Sequence, residues 1–227
     1  MALKLNRVQK YSEFYGRNVD QMPLLIADGR TPLSVEGLMD LRLEALALGD
    51  GVDDEFKAAY VDNYFDTGDA ILYHPDGRIK IVHDSQALRA MNSDSKLTNG
   101  ALVLDNDAYD VEGWEFKPSD LANMANGRAL TLQEARTHPL WNVLARGKQD
   151  KLDNYAGKIF EAAKERFSYD QNMGIYVGSG AKGKVTARSW CVVGLDYGSL
   201  ADVRGNLYLG VGRLVGVATE SQSAQKK

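Results

Sequence analysis

Residues Thr131–Phe167 read TLQEARTHPLWNVLARGKQDKLDNYAGKIFEAAKERF, and this stretch decides the fold. Thr131-Leu132-Gln133-Glu134 is a capping box: the Thr hydroxyl and the Glu carboxylate each accept a backbone N–H at a helix start. His138-Pro139 restarts the pattern, because Pro suits a first helical turn, where its missing N–H costs nothing. The His138 side chain is expected either to accept from backbone N–H groups there or to lie at the surface. Leu152, Tyr155, Ala156, Ile159, Phe160, Ala163 and Phe167 then recur at helical spacing, so one face of a long helix is apolar and must be buried. Such a unit predicts a scaffold rather than a chemistry.

On its C-terminal side the composition changes. Ten of the 22 glycines fall between Gly174 and Gly216. Gly174–Val177, Lys184–Val193 and Val203–Ala218 predict short strands joined by Gly-rich turns, an antiparallel meander. The polar residues from Ser221 to Lys227 predict a disordered tail.

On its N-terminal side, Ala70–His74 and Arg78–His83 flank Pro75-Asp76-Gly77 and predict a β-hairpin. Pro second and Gly fourth suit a type I turn, and a bulge at Gly77 sets Tyr73 opposite Ile79 and Ile71 opposite Ile81. These four share a face, the core face. Gly100–Leu104 predicts another strand. Ser34, Asp53, Ser85 and Ser119 are placed to cap helices, the first carrying Leu38, Leu41, Ala45 and Leu48 inward. Pro23–Ala27 predicts a buried strand. Val8, Tyr11, Phe14 and Tyr15 have helical spacing that Gly16 would end. The acidic, aromatic run from Asp105 to Asp120 predicts a long loop.

Helices and strands are segregated more than alternated, which predicts an α+β fold. The expectation is a central helical unit on a mainly antiparallel sheet, with a Gly-rich antiparallel C-terminal meander. Residues 1–220 are expected to form one domain, with a subdivision near residue 170 as the alternative. The chain has 227 residues, 44% of them apolar, enough for a sizeable core. A single cysteine, Cys191, excludes an internal disulfide, and Trp190 and Val192 beside it predict a small buried hydrophobe. With no apolar run long enough to span a bilayer and no secretion signal, the expectation is a cytoplasmic, soluble protein without a membrane partner. The net charge is −4, and the chain from Met173 onward is basic while the rest is acidic. An acidic body argues against nucleic acid as a partner.

Two stretches carry candidate chemistry. Gly178-Ser179-Gly180-Ala181-Lys182-Gly183-Lys184 matches a Gly-rich phosphate loop in letters, but the β-branched run that follows predicts a strand where such loops need a helix. Val185 stands where a magnesium-binding Ser or Thr would be. The functional alternative to a plain loop is a small anionic ligand held by Gly178, Gly180, Lys182, Gly183, Lys184 and Arg188, with Trp190 as a stacking surface. The second stretch is acidic. Asp66 and Asp69 precede the hairpin, and His83 and Asp84 follow it. Asp69 would orient His83 as a catalytic base, or Asp66, Asp69 and Asp84 would hold a divalent cation. Asp105 to Asp110 begins like a calcium loop but lacks the required Gly and Glu. Gly210, Gly212 and Gly216 share one parity, so a face of the last strand is either open to something bulky or interrupted by a turn.

No complete catalytic constellation is present. The favoured expectation is therefore a non-catalytic binding or assembly protein, meeting a protein partner or a second copy through its glycine-rich end and exposed aromatics. The alternative is a metal-assisted hydrolase or phosphoryl-transfer enzyme, which requires the Gly-rich loop and the Asp69–His83 pair to meet in one cleft.

Overall fold

The computed structural model describes residues 10–48, 54–124, 126–203, 207 and 209–218. In chain order the strands are β1 (Tyr11–Gly16), β2 (Arg30–Pro32), β3 (Phe65–Tyr73), β4 (Ile79–Val82), β5 (Leu97–Thr98), β6 (Ala101–Leu104), β7 (Trp114–Phe116), β8 (Ile175–Tyr176), β9 (Val185–Val192), β10 (Ala201–Asp202) and β11 (Gly212–Ala218). The helices are α1 (Asn18–Ala27), α2 (Val35–Ala47), α3 (Asp54–Val61), α4 (Gln86–Arg89), α5 (Pro118–Ala122), α6 (Leu132–Thr137), α7 (Pro139–Leu144) and α8 (Gln149–Phe167). All the strands join one mixed sheet, and the fold is α+β.

The central helices form as read. Thr131 Oγ1 accepts from Glu134 N, and Glu134 Oε2 accepts from Thr131 N at 2.8 Å, closing the capping box. His138 Nδ1 accepts from Leu140 N at 3.3 Å and so caps α7. Leu152, Tyr155, Ala156, Ile159, Phe160 and Ala163 of α8 are buried. They pack with α2, α3, α6 and α7 on one face of the sheet, whose side chains there include Phe65, Ile71, Tyr73, Trp190 and Val192. The alternate residues Ala70, Leu72, Val185 and Ala187 face the other side, under α1 and α4.

The hairpin also forms in the expected register, with Ile71 opposite Ile81 and Tyr73 opposite Ile79. Gly77 takes φ +93° and its N–H donates to His74 O, the turn that Pro75 and Gly77 encode.

Four segments differ from expectation. Tyr11–Gly16 is a strand and the helix follows Gly16 instead of preceding it. Residues 11–16 find a partner in β11, some 200 positions away, and no local pattern announces that pairing. Pro23–Ala27 is helical: Val19, Met22 and Leu25 point inward while Leu24 and Ile26 are exposed. A short apolar run does not by itself separate helix from strand. Within the acidic run, Trp114–Phe116 pairs with β4. The helix expected to be capped by Ser119 begins at Pro118, with Asp120 accepting from Lys117 N.

The C-terminal strands do not succeed one another as a meander. β3 lies between β9 and β11, and β10 is parallel to β8. The expected turn-or-strand ambiguity at Gly210–Gly212 resolves as a turn leading into β11. Gly212 is required there, because a Cβ would sit 2.5 Å from Gly16 O. The expected cap at Asp53, the tail from Ser221, and Val8 lie outside the described residues.

β3 is the organising strand. It advances four residues, Asp66 to Ala70, while β9 advances two, so the ladder breaks at Thr67-Gly68-Asp69. Side chains replace the lost bonds. Thr67 N donates to Ser189 Oγ at 3.1 Å, Ser189 Oγ donates to Thr67 O at 2.7 Å, and Thr67 Oγ1 donates to Trp190 O at 2.9 Å. On its other edge β3 pairs with β11 before the break and with β4 after it. Asp69 sits in this fork.

Candidate functional site

The acidic group at the open end of the hairpin is partly assembled. Asp69 is fully buried and accepts from Val35 N at 2.8 Å and from Asp84 N at 3.0 Å. The first bond holds the start of α2, the second the end of the hairpin. Burial pushes the Asp69 carboxyl above its ordinary value, and the Val35 and Asp84 amides oppose that shift. The Asp84 carboxylate takes Arg146 Nη2 at 2.7 Å. His83 Nε2 lies 2.9 Å from Val143 O, a bond in which the ring nitrogen must donate. The His83 ring lies against Trp114, with centroids 4.9 Å apart. The structure thus brings Asp69, His83 and Asp84 together and binds each to the scaffold.

Asp66 is not with them. It lies before the break in β3 and accepts from Arg213 N at 2.9 Å. Among the described residues no three His, Cys, Asp or Glu side chains are arranged to hold a metal ion.

The Gly-rich loop lies elsewhere again. Gly178, Gly180 and Lys182 line a groove against Tyr73, His74 and Arg78, at the turn end of the hairpin. Gly183 and Lys184 lead on to β9. Arg188 lies within β9 and donates to Asn99 O at 2.6 Å. Trp190 is fully buried, so it presents no stacking surface. From Asp69 to His74 is five residues of strand, about 16 Å. The single cleft required by the metal-assisted reading does not form.

A different cleft, of about 200 Å³, opens at the start of β3. Its walls come from Tyr64, Cys191, Val193, Leu209 and Val211, with Asp66 and Asp202 among the polar lining. The Tyr64 hydroxyl donates to Val211 O, which fixes one lip. Leu209 and Val211 are about half exposed at that lip. The Arg213 guanidinium lies over two rings, 5.5 Å from the Tyr15 centroid and 5.3 Å from that of Tyr64. Tyr15 is itself half exposed. An apolar lip thus lies beside two tyrosines with an arginine held between them, its guanidinium also paired with Glu13 at 2.8 Å.

Sequence reading located Gly210 and Gly212 here but not the cleft. Tyr64 reads as a core residue, and nothing local joins it to Val211. The usable signal is Leu209-Gly210-Val211-Gly212 itself, apolar residues carried on a turn.

Burial pushes the Asp66 carboxyl up, against the Arg213 N–H and the Asn18 and Cys191 side chains that favour its charged form. Burial, together with the nearby Asp66 and Asp202 charges, pushes the Cys191 thiol well up, so Cys191 is a neutral donor and not a nucleophile. A raised carboxyl binds its proton more tightly folded than unfolded. Its stabilising contribution is therefore complete below 3.8 and is lost as pH rises through the folded value. Urea unfolding of the parent chain and Asp66→Asn, compared from neutral pH to below 3.8, is expected to show the parent gaining on the variant as pH falls. A constant difference would contradict this account.

No family model matches the chain, and no curated protein matches it. One solved structure does, reported for the accommodation of massive sequence variation in Nanoarchaeota by the C-type lectin fold. The TM-score is 0.65 at 18% identity, over 92% of this chain and 98% of that one. The likeness identifies the arrangement as C-type lectin-like. It is one of fold, and at this identity carries nothing about ligand.

Proposed function

We propose that this chain is a non-catalytic binding protein whose contact surface is the cleft at the start of β3. The observation that carries the reading is the half-exposed Leu209 and Val211 beside Tyr64, Tyr15 and Arg213. Exposed apolar side chains on a turn cost solvation unless something covers them, and a shallow apolar cleft with a tyrosine in its wall has the composition of an interface centre. The partner that fits is a protein surface offering one apolar or aromatic anchor to the cleft. The fold supports the reading as well. The Nanoarchaeota structure is described as a C-type lectin fold accommodating massive sequence variation, and a fold that accommodates such variation suits recognition. No helix among the described residues is long and apolar enough to cross a membrane.

A displayed peptide library selected on the parent chain tests this. Enriched peptides are expected to carry an apolar or aromatic anchor, and Val211→Glu is expected to weaken them by about tenfold or more, the loss typical of a central contact. Leu209→Glu provides a second arm. Peptides that bind both variants as tightly as the parent would sink the reading. So would a stable monomer that enriches nothing.

A further inference from the structure

The Gly178–Lys184 motif has no part in that cleft, yet its backbone is closely fitted. Tyr73 Oη donates to Val177 O at 2.5 Å, and Val177 N donates to Asn126 Oδ1 at 3.2 Å, which fixes the entry to the loop. Gly178 takes φ +58°. Gly180 is pressed onto Tyr73: a Cβ there would lie 2.4 Å from Tyr73 Cβ. Two of the glycines are thus explained by backbone geometry and close approach, which a loop free to wander would not need.

Between this loop and the hairpin turn lies a groove of about 270 Å³. Its apolar part is Ile79, Leu121 and Val177, and its polar part is His74, Arg78, Ser179 and Lys182. The backbone N–H groups from Ser179 to Lys182 donate to no acceptor among the described residues. Arg78 is held between Asp76, at 2.8 Å, and Glu115, at 3.0 Å, so its charge is offset while its position is fixed. Lys182 makes no ion pair among the described residues. Consecutive backbone N–H groups beside an unpaired ammonium attract an oxyanion, and an apolar floor adds room for a small organic body.

The geometry points to this groove as a binding site for a small phosphate monoester, its phosphate on the Ser179–Lys182 amides and the Lys182 ammonium, its apolar part on Ile79, Leu121 and Val177. The site is separate from the proposed contact cleft. The two lie at opposite ends of β3, seven residues or roughly 20 Å apart.

Phenyl phosphate titrated into the full chain, followed by amide nitrogen–proton NMR, tests the assignment. Saturable shifts are expected at the Ser179–Lys182 amides at millimolar concentrations. Lys182→Gln is expected to weaken binding about tenfold, the scale of one charge-assisted hydrogen bond. Lys57→Gln, on α3, is expected to leave binding unchanged. Val211→Glu is also expected to leave it unchanged, which separates this site from the contact cleft. Inorganic phosphate is expected to bind the same amides more weakly, and benzyl alcohol not to shift them. Absence of saturable shifts, equal shifts with benzyl alcohol, or undiminished binding by Lys182→Gln would each overturn the proposal.

Discussion

Replacing Arg42 by Met is expected to cost about 3–5 kcal/mol, a large share of the stability of an ordinary domain. Arg42 lies on α2 and is fully buried. Its Nε donates to Tyr60 O at 3.0 Å, and Nη2 donates to Asn63 O at 2.9 Å and Val193 O at 2.8 Å. Nη1 donates to the Tyr155 hydroxyl at 3.2 Å, which reaches α8. No carboxylate is among these partners. The charge is instead met by carbonyls at two element ends, the last turn of α3 with the residues after it and the exit of β9. Met fills the space but removes the guanidinium donors from those buried and part-buried carbonyls. Lys keeps the charge but lacks the fork, and is also expected to fall well short of the parent. Tyr155→Phe removes one bond and is expected to cost only about 1 kcal/mol. Urea unfolding of the three variants measures this, and an Arg42→Met loss no larger than that of Tyr155→Phe would refute the account.

Asp69→Ala is expected to cost about 2–4 kcal/mol, by orphaning two buried N–H donors and leaving Arg146 short of one neighbour. Val35 N belongs to the first turn of α2 and Asp84 N to a residue at φ +48°, so the carboxylate joins a helix start to a strained hairpin exit. The side chain bridges the fork in the sheet where backbone bonding cannot. Asp69→Asn retains one acceptor and is expected to fall between parent and Ala. Magnesium or manganese is expected to leave the unfolding midpoint of the parent unchanged. A midpoint that rises with metal and does not rise in Asp69→Ala would instead favour the metal-assisted reading.

The contrast between these two residues shows what sequence reading reaches. The capping box at Thr131, the His138 cap and the inward face of α8 depend on neighbours within a few positions, so their letters suffice. The hairpin register is legible for the same reason: Pro75 and Gly77 define the turn, and the alternation of Ile71, Tyr73, Ile79 and Ile81 does the rest. Asp69 and His83 flank the last pair of that register, Ala70 with Val82. What the letters do not show is that Asp69 would be taken up by Val35, from an element more than thirty residues upstream. Arg42 reads as one charge on an amphipathic helix, because its carbonyl and hydroxyl partners come from three distant segments. The cleft at the start of β3 is hidden similarly, since its lining joins Tyr64, residues of β3, β9, β10 and β11, and the turn before β11. The Gly-rich loop was legible as a loop preceding a strand, but its seat on Tyr73 depends on tertiary contact.

The strand pairing sets a timetable for the chain as it is made. β11 supplies the partner for β1 and for β2, matching Tyr11 with Val217 and Thr31 with Val217 on its two edges. Until residues 212–218 have left the ribosome, the segments at 11–16 and 30–32 have no edge to join. At synthesis rates of roughly 5–20 residues per second, they wait on the order of ten seconds or more after emerging. Central helices with local contacts can form in that interval, while closing the sheet brings together the most distant pairs in sequence and comes late. A nascent chain halted before residue 212 is therefore expected to hold its hairpin and helices beside an unfinished sheet, with apolar Phe14, Val19 and Leu25 still seeking cover, and this is the stage at which a chaperone has most to bind.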